Sequence, residues 1–254
     1  MLDRISIVGR GPRKVIVLHG WFGCADEWGN LFQVLDRTNF TYAFFDYRGY
    51  GKRKNEKAGF TLEEITEDTL AVADALGWQR FDLIGHSMGG MAIQHVAASS
   101  PSRVRSLVGI TPVPARGFKL DQGTRELFEA AATESLARKT IIDFGTGQRL
   151  STYWVDQVVA SSFENSLPEA VMGYFCAWAD SDIEPVVTGS QIPVLALFGE
   201  HDAALAANDQ APIWARLYPN FSSDILSGAG HYPFEETPVL LATKFEAWLA
   251  AQAS

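Results

Sequence analysis

Short apolar runs, rich in β-branched and aromatic residues, recur along the chain, and each ends on glycine or a polar turn. Lys14–Leu18 stops at His19-Gly20, and Tyr42–Phe45 stops at Asp46 and the glycines of Arg48-Gly49-Tyr50-Gly51. Uninterrupted apolar runs of this length predict strands buried on both faces of a parallel sheet. Phe81–Ile84, Val104–Ile110, Pro193–Phe198 and Ser222–Leu226 are read as four further strands. Between them the period changes to that of a helix. Thr61 opens one, its hydroxyl placed to cap the Glu64 N–H while the Glu64 carboxylate reaches back; Leu62, Ile65, Thr69, Val72, Ala73 and Leu76 then recur at helical spacing until Gly77. Further helices are expected over Met88–Ser99, around Ile213–Leu217, and after Thr237, taken as N-cap with Pro238 at the first helical position. Leu241, Phe245, Trp248 and Leu249 share one face of that last helix. Strands alternating with helices predict an α/β fold: a mostly parallel twisted sheet with helices on both faces.

Residues 113–187 break the alternation. Thr124–Ala137, Ser151–Ser162 and Glu169–Ala179 are helical in pattern with no strand between them, and the stretch is bounded by Thr111-Pro112-Val113-Pro114 and by Glu184-Pro185-Val186-Val187-Thr188-Gly189. The expectation is a core of residues 1–112 and 188–254 carrying an inserted helical cap at 113–187. Most of the cap's aromatic residues are needed to pack it onto the sheet. The remainder would line an apolar pocket, with Trp154, Phe144 and Trp178 as candidate substrate-binding residues.

A length of 254 residues suits one large domain or a core plus an insertion. Hydrophobic residues make up 47% and charged residues 20%, which excludes wholesale disorder and a collagen-like repeat. The net charge of −9 is a poor basis for gripping a phosphate backbone, so nucleic acid is not an expected partner. No apolar run approaches the roughly 18 residues that cross a bilayer, and the first residues carry no signal-type apolar stretch. No membrane partner and a cytoplasmic location are therefore expected. Cys24 and Cys176 lie far apart without a Cys-x-x-Cys companion, so both read as free thiols. With no His-Glu-x-x-His pattern, neither a metal site nor a cofactor is expected.

Gly85-His86-Ser87-Met88-Gly89 is a G-x-S-x-G placed between an apolar strand and a helix. That context fits a sharp strained turn that exposes a serine above a sheet, with glycines on either side keeping Cβ atoms out of a crowded space. A serine hydroxyl is a weak nucleophile and needs a base within reach and a third group to orient that base. Of five histidines, His231 alone follows a strand in a glycine-rich loop, Gly228-Ala229-Gly230-His231, at the carboxyl end where open α/β sheets place their sites. His19 reads as a structural support and His95 as an ordinary helix residue. Asp202, after the strand ending at Phe198, is the candidate acid, with Glu200 as competitor. The chain order Ser87, Asp202, His231 is that of the α/β hydrolases.

Five segments carry a resemblance to that superfamily, in particular to its cap-bearing esterase, lactonase and haloperoxidase-like branch. They are Leu18–Trp21, Phe44–Gly51, Gly85–Gly90, Phe198–Asp202 and Gly228–Pro238. The resemblance implies that the backbone N–H groups of Trp21 and Met88 form an oxyanion hole. It further implies a serine hydrolase cleaving a small, rather apolar carboxylic ester or lactone through an acyl-enzyme, without cofactor. Cap residues 113–187 hold eleven acids against six bases, which disfavours an anionic thioester substrate. Alternatives within the superfamily are a cofactor-free perhydrolase and a carbon–carbon bond hydrolase. Outside catalysis, the alternative is a receptor that keeps the triad but uses the pocket to bind and signal.

Overall fold

The computed structural model describes residues 4–252, and seven strands form one sheet in the order β1-β3-β2-β4-β5-β6-β7. They are β1 (Ile5–Gly9), β2 (Arg13–Leu18), β3 (Phe40–Phe45), β4 (Phe81–His86), β5 (Val104–Ile110), β6 (Val194–Gly199) and β7 (Phe221–Leu226). Every neighbouring pair is parallel except β1 with β3. Each position of β3, β4 and β6 is buried, which is why these strands read as mostly apolar; Asp82 in β4 is buried as an ion pair with Arg13. The pattern reading did not include β1. It is an antiparallel edge strand with Ile7 45% exposed, and an edge position needs no apolar run to be stable.

Helix α1 (Leu31–Val34) precedes β3, and α2 (Leu62–Ala75) starts at the expected capping box: Thr61 Oγ1 accepts from the Glu64 N–H at 3.3 Å and the Glu64 carboxylate accepts from the Thr61 N–H at 3.4 Å. Helix α3 (Met88–Ser99) packs beside α2, where Thr66 Oγ1 and His95 Nδ1 are 2.7 Å apart.

Between β5 and β6 the chain makes five helices and no strand of the sheet: α4 (Gln122–Ala130), α5 (Ser135–Gly145), α6 (Thr152–Glu164), α7 (Pro168–Asp180) and α8 (Glu184–Val187). The single helix expected over Thr124–Ala137 is two. Buried Arg138 explains the break, because its guanidinium donates to the carbonyls of Ala131 (2.9 Å) and Ala132 (3.3 Å) that follow α4, and also to Ser162 Oγ at 2.9 Å. It stacks 3.6 Å from the ring centroid of Phe163, and burial draws its pKa down to about 10, so it remains a cation.

Helix α9 (Ala207–Leu217) is longer than the expected stretch around Ile213–Leu217, because Pro212 inside it masks its first turns. After β7 come α10 (Pro233–Glu236) and α11 (Pro238–Ala251). Thr237 precedes α11 but does not cap it. Its hydroxyl is buried without a hydrogen-bond partner among the described residues, and the helix starts on the fixed φ of Pro238 alone. Leu241, Phe245 and Leu249 form the buried face, with Trp248 half-buried at its margin.

Candidate active site

Strand β4 delivers Ser87 directly into α3, and the residue takes φ 53° and ψ −117°, strained backbone for any L-residue with a side chain. The flanking glycines are required by what lies against them. A Cβ on Gly85 would sit 2.1 Å from the Gly89 carbonyl oxygen, and one on Gly89 would sit 2.4 Å from that of Leu18. Gly20 closes the other side, where a Cβ would fall 2.5 Å from His86 Nδ1 and 3.3 Å from the Ser87 Cβ. The loop after β2 therefore runs directly beside the serine. Neither the Trp21 nor the Met88 N–H donates a hydrogen bond among the described residues. Both remain free for an acceptor, and Met88 heads α3, where the helix leaves its first N–H groups unpaired.

His231 follows β7, and its Nδ1 lies 2.7 Å from Asp202 Oδ2. Asp202 follows β6 with its side chain fully buried; its other oxygen accepts from the N–H groups of Ala204 and Leu205, each at 3.0 Å. A carboxylate so held fixes Nδ1 of His231 as the protonated nitrogen and leaves Nε2 to accept a proton. Glu200, the competing acid, is half exposed and accepts from the Gly228 N–H at 2.8 Å instead. Ser87 and His231 line one cavity, and no hydrogen bond joins them among the described residues. Such contacts commonly tighten only when substrate arrives.

The other histidines are placed by burial. His19 donates from Nδ1 to the Gly20 carbonyl (2.8 Å), accepts at Nε2 from the Tyr47 N–H (3.3 Å), and has its pKa lowered to about 4 by burial against the opposing pull of Asp46. His86 is likewise held neutral, by burial first and by its neighbour His231 second. Its Nε2 donates to the His231 carbonyl at 2.8 Å. His201 is exposed.

The cavity over Ser87 measures about 1060 Å³. Trp154, Phe144 and Trp178 all line it; Trp178 is buried, whereas Phe144 is 51% exposed. Sequence reasoning missed the lining from the sheet side, Phe22 and Trp28, and the two hydrogen bonds that hold the loop after β2. Tyr50 Oη donates to the Trp21 carbonyl at 2.8 Å, and the Trp21 indole N–H donates to the Val171 carbonyl of α7 at 2.7 Å. Tyr50 lies in a segment already conspicuous for its glycines; nothing in the sequence pairs Trp21 with α7.

Among known proteins, the pimeloyl-[acyl-carrier protein] methyl ester esterase of Sodalis glossinidius is 28% identical to this chain over 251 residues, covering 91% of each. The non-heme chloroperoxidase of Streptomyces lividans is 26% identical over 250 residues, covering 91% of this chain and 90% of that protein. The crystal structure of a bromoperoxidase from Bacillus anthracis superposes with a TM-score of 0.86 at 19% identity, over 97% of this chain and 94% of that one. Residues 14–238 match the model of the alpha/beta hydrolase fold, and the chain belongs to that family.

Proposed function

We propose that this α/β hydrolase is a serine carboxylesterase with Ser87 as nucleophile, His231 as general base and Asp202 as its orienting acid. The observation that carries the reading is the His231–Asp202 bond opening onto the same apolar cavity as a serine on a positive-φ turn. Ser87 Oγ attacks the ester carbonyl as His231 Nε2 takes its proton. The N–H groups of Trp21 and Met88 receive the oxyanion, and His231 returns the proton to the departing alkoxide. Water, deprotonated by His231, then attacks the acyl carbon; the bond to Ser87 Oγ breaks, His231 returns the proton to Oγ, and the acid leaves. Two preset backbone donors suit this role because they need no reorganisation when charge develops.

The substrate is a carboxylic ester or lactone whose acyl portion is apolar. The lining aromatics Trp21, Phe22, Trp28, Phe128 and Trp178 exclude water from it, and residues 113–187 act as a cap that closes the cavity from above. About 1060 Å³ is more room than a small ester fills, so chain length is the variable to scan. Methyl esters of graded acyl length, as in the methyl ester cleaved by the Sodalis relative, together with a panel of lactones, give the ranking through kcat/KM. Ser87→Ala abolishes turnover while leaving the fold intact; retention of most activity removes serine from the mechanism. The chloroperoxidase relative favours one second reading, acyl transfer to peroxide instead of water, which perhydrolysis of acetate tests directly. Negligible turnover with tight, saturable ligand binding supports a receptor instead.

A further inference from the structure

His231 serves Ser87 only if its own peptide is fixed, and the segment around it is gripped from two directions. From the sheet side, the His231 carbonyl accepts from His86 Nε2 at 2.8 Å and from Thr111 Oγ1 at 3.3 Å. From the other side, the His231 N–H donates to the carbonyl of Gly145, the last residue of α5, at 3.0 Å. A Cβ on Gly145 would sit 3.1 Å from the His231 Cβ, so the two backbones are in direct contact.

One side chain completes the grip. Glu236, at the end of α10, accepts from the Gly230 N–H at 2.8 Å with one oxygen and from the Tyr232 N–H at 3.1 Å with the other. A single carboxylate thus holds the peptides on either side of His231. Its side chain is only 3% exposed, and it pairs with Arg149, which lies between α5 and α6. Arg149 donates as well to the Gly228 carbonyl at 3.0 Å. The neighbouring Glu235 makes none of these contacts and faces the cavity, so the arrangement is specific to position 236.

We propose that Glu236 is a positioning residue for His231, and that its pairing with Arg149 couples the imidazole's backbone to the turn between α5 and α6. A ligand that displaces that turn then moves the base as well, and cavity filling and proton transfer become one event. The inference rests on the assignment of His231 as general base.

Steady-state kinetics on p-nitrophenyl butyrate test it with Glu236→Gln, Arg149→Met and Arg149→Lys. The amide of Glu236→Gln keeps one acceptor but turns an NH2 toward the other N–H, so one strap and the ion pair are lost. Loss of registry on the ångström scale lowers kcat by on the order of tenfold to a hundredfold, with KM changed less than about threefold. Arg149→Lys is expected to recover most of what Arg149→Met loses. In the wild type the His231 Nδ1–H proton bonded to Asp202 gives a low-field NMR resonance, and in Glu236→Gln it broadens. Arg216→Met, which removes an exposed pair with Glu184, leaves all three readouts unchanged. Should Glu236→Gln fail to fold, the two Arg149 variants carry the test, since both N–H straps remain. If folded Glu236→Gln and Arg149→Met keep kcat within about threefold while His231→Ala is dead, the positioning role is refuted alone. If His231→Ala itself turns over, the assignment of the base falls first.

Discussion

Asp202→Asn isolates the orientation of the proposed base, His231, from everything else in the site. Asn keeps the volume and one carbonyl oxygen, and the structure dictates which way the amide turns. With its oxygen in the place of Oδ1, it retains both bonds from Ala204 and Leu205, and the NH2 group faces His231 Nδ1. The opposite rotamer sets that NH2 against two backbone N–H groups, losing two hydrogen bonds worth about 1 kcal/mol each and leaving the buried Leu205 N–H unsatisfied at about 1–3 kcal/mol. The first rotamer wins by several times the thermal energy. His231 must then accept at Nδ1, its proton moves to Nε2, and it cannot take the Ser87 proton. A forced tautomer of this kind costs about 10⁴ in kcat, which is about 5.5 kcal/mol of barrier at 1.36 kcal/mol per decade. The measurement is kcat for p-nitrophenyl butyrate, with thermal unfolding as a check that the protein remains folded. A folded Asp202→Asn enzyme with kcat within tenfold of wild type contradicts the argument, and a second acid, Glu200 first, would have to be sought.

Gly89→Ala places a Cβ against the Leu18 carbonyl and is expected to destabilise the protein by about 1–3 kcal/mol while displacing Ser87; an unchanged Tm and kcat rule out the close approach. Trp21→Phe removes the indole bond to Val171, so denaturant unfolding registers a loss of about 1 kcal/mol and kcat falls more than KM rises; a pure KM effect assigns the indole to substrate contact instead. His19, held near pKa 4 against an ordinary 6.5, stays neutral in the fold while the unfolded chain takes up a proton. Its contribution to stability is therefore fully present above pH 6.5 and is lost as pH falls toward 4, by up to about 3 kcal/mol. An NMR titration of the His19 ring with a midpoint near 6.5 removes that effect.

The sheet was legible because a strand buried on both faces must be mostly apolar, as β3, β4 and β6 are, with a buried polar residue such as Asp82 tolerated where it is paired. Strand β1 was not, since an edge strand half in solvent carries no such demand. The order and placement of Ser87, Asp202 and His231 could be read because each follows a strand at the same edge of the sheet, and strand ends are marked by glycines. The supporting contacts could not. Arg138 held against Ser162 of α6, the Trp21 indole on α7, and Glu236 bracing the loop from an ion pair with Arg149 are contacts between residues well separated in the chain. No local period encodes them. Thr237 illustrates the reverse error: a residue of the right type before a proline looked like a cap, but its hydroxyl is turned into the interior.

Strands β5 and β6 are hydrogen-bonded neighbours, Leu107 opposite Val194, although five helices intervene in the chain. During synthesis the central strand β5 must wait, one flank unpaired, while that whole stretch leaves the ribosome. Asp202 and His231 emerge later still. The nascent polypeptide therefore carries its candidate nucleophile before it has the means to activate it, and hydrolytic competence waits until both Asp202 and His231 have been made.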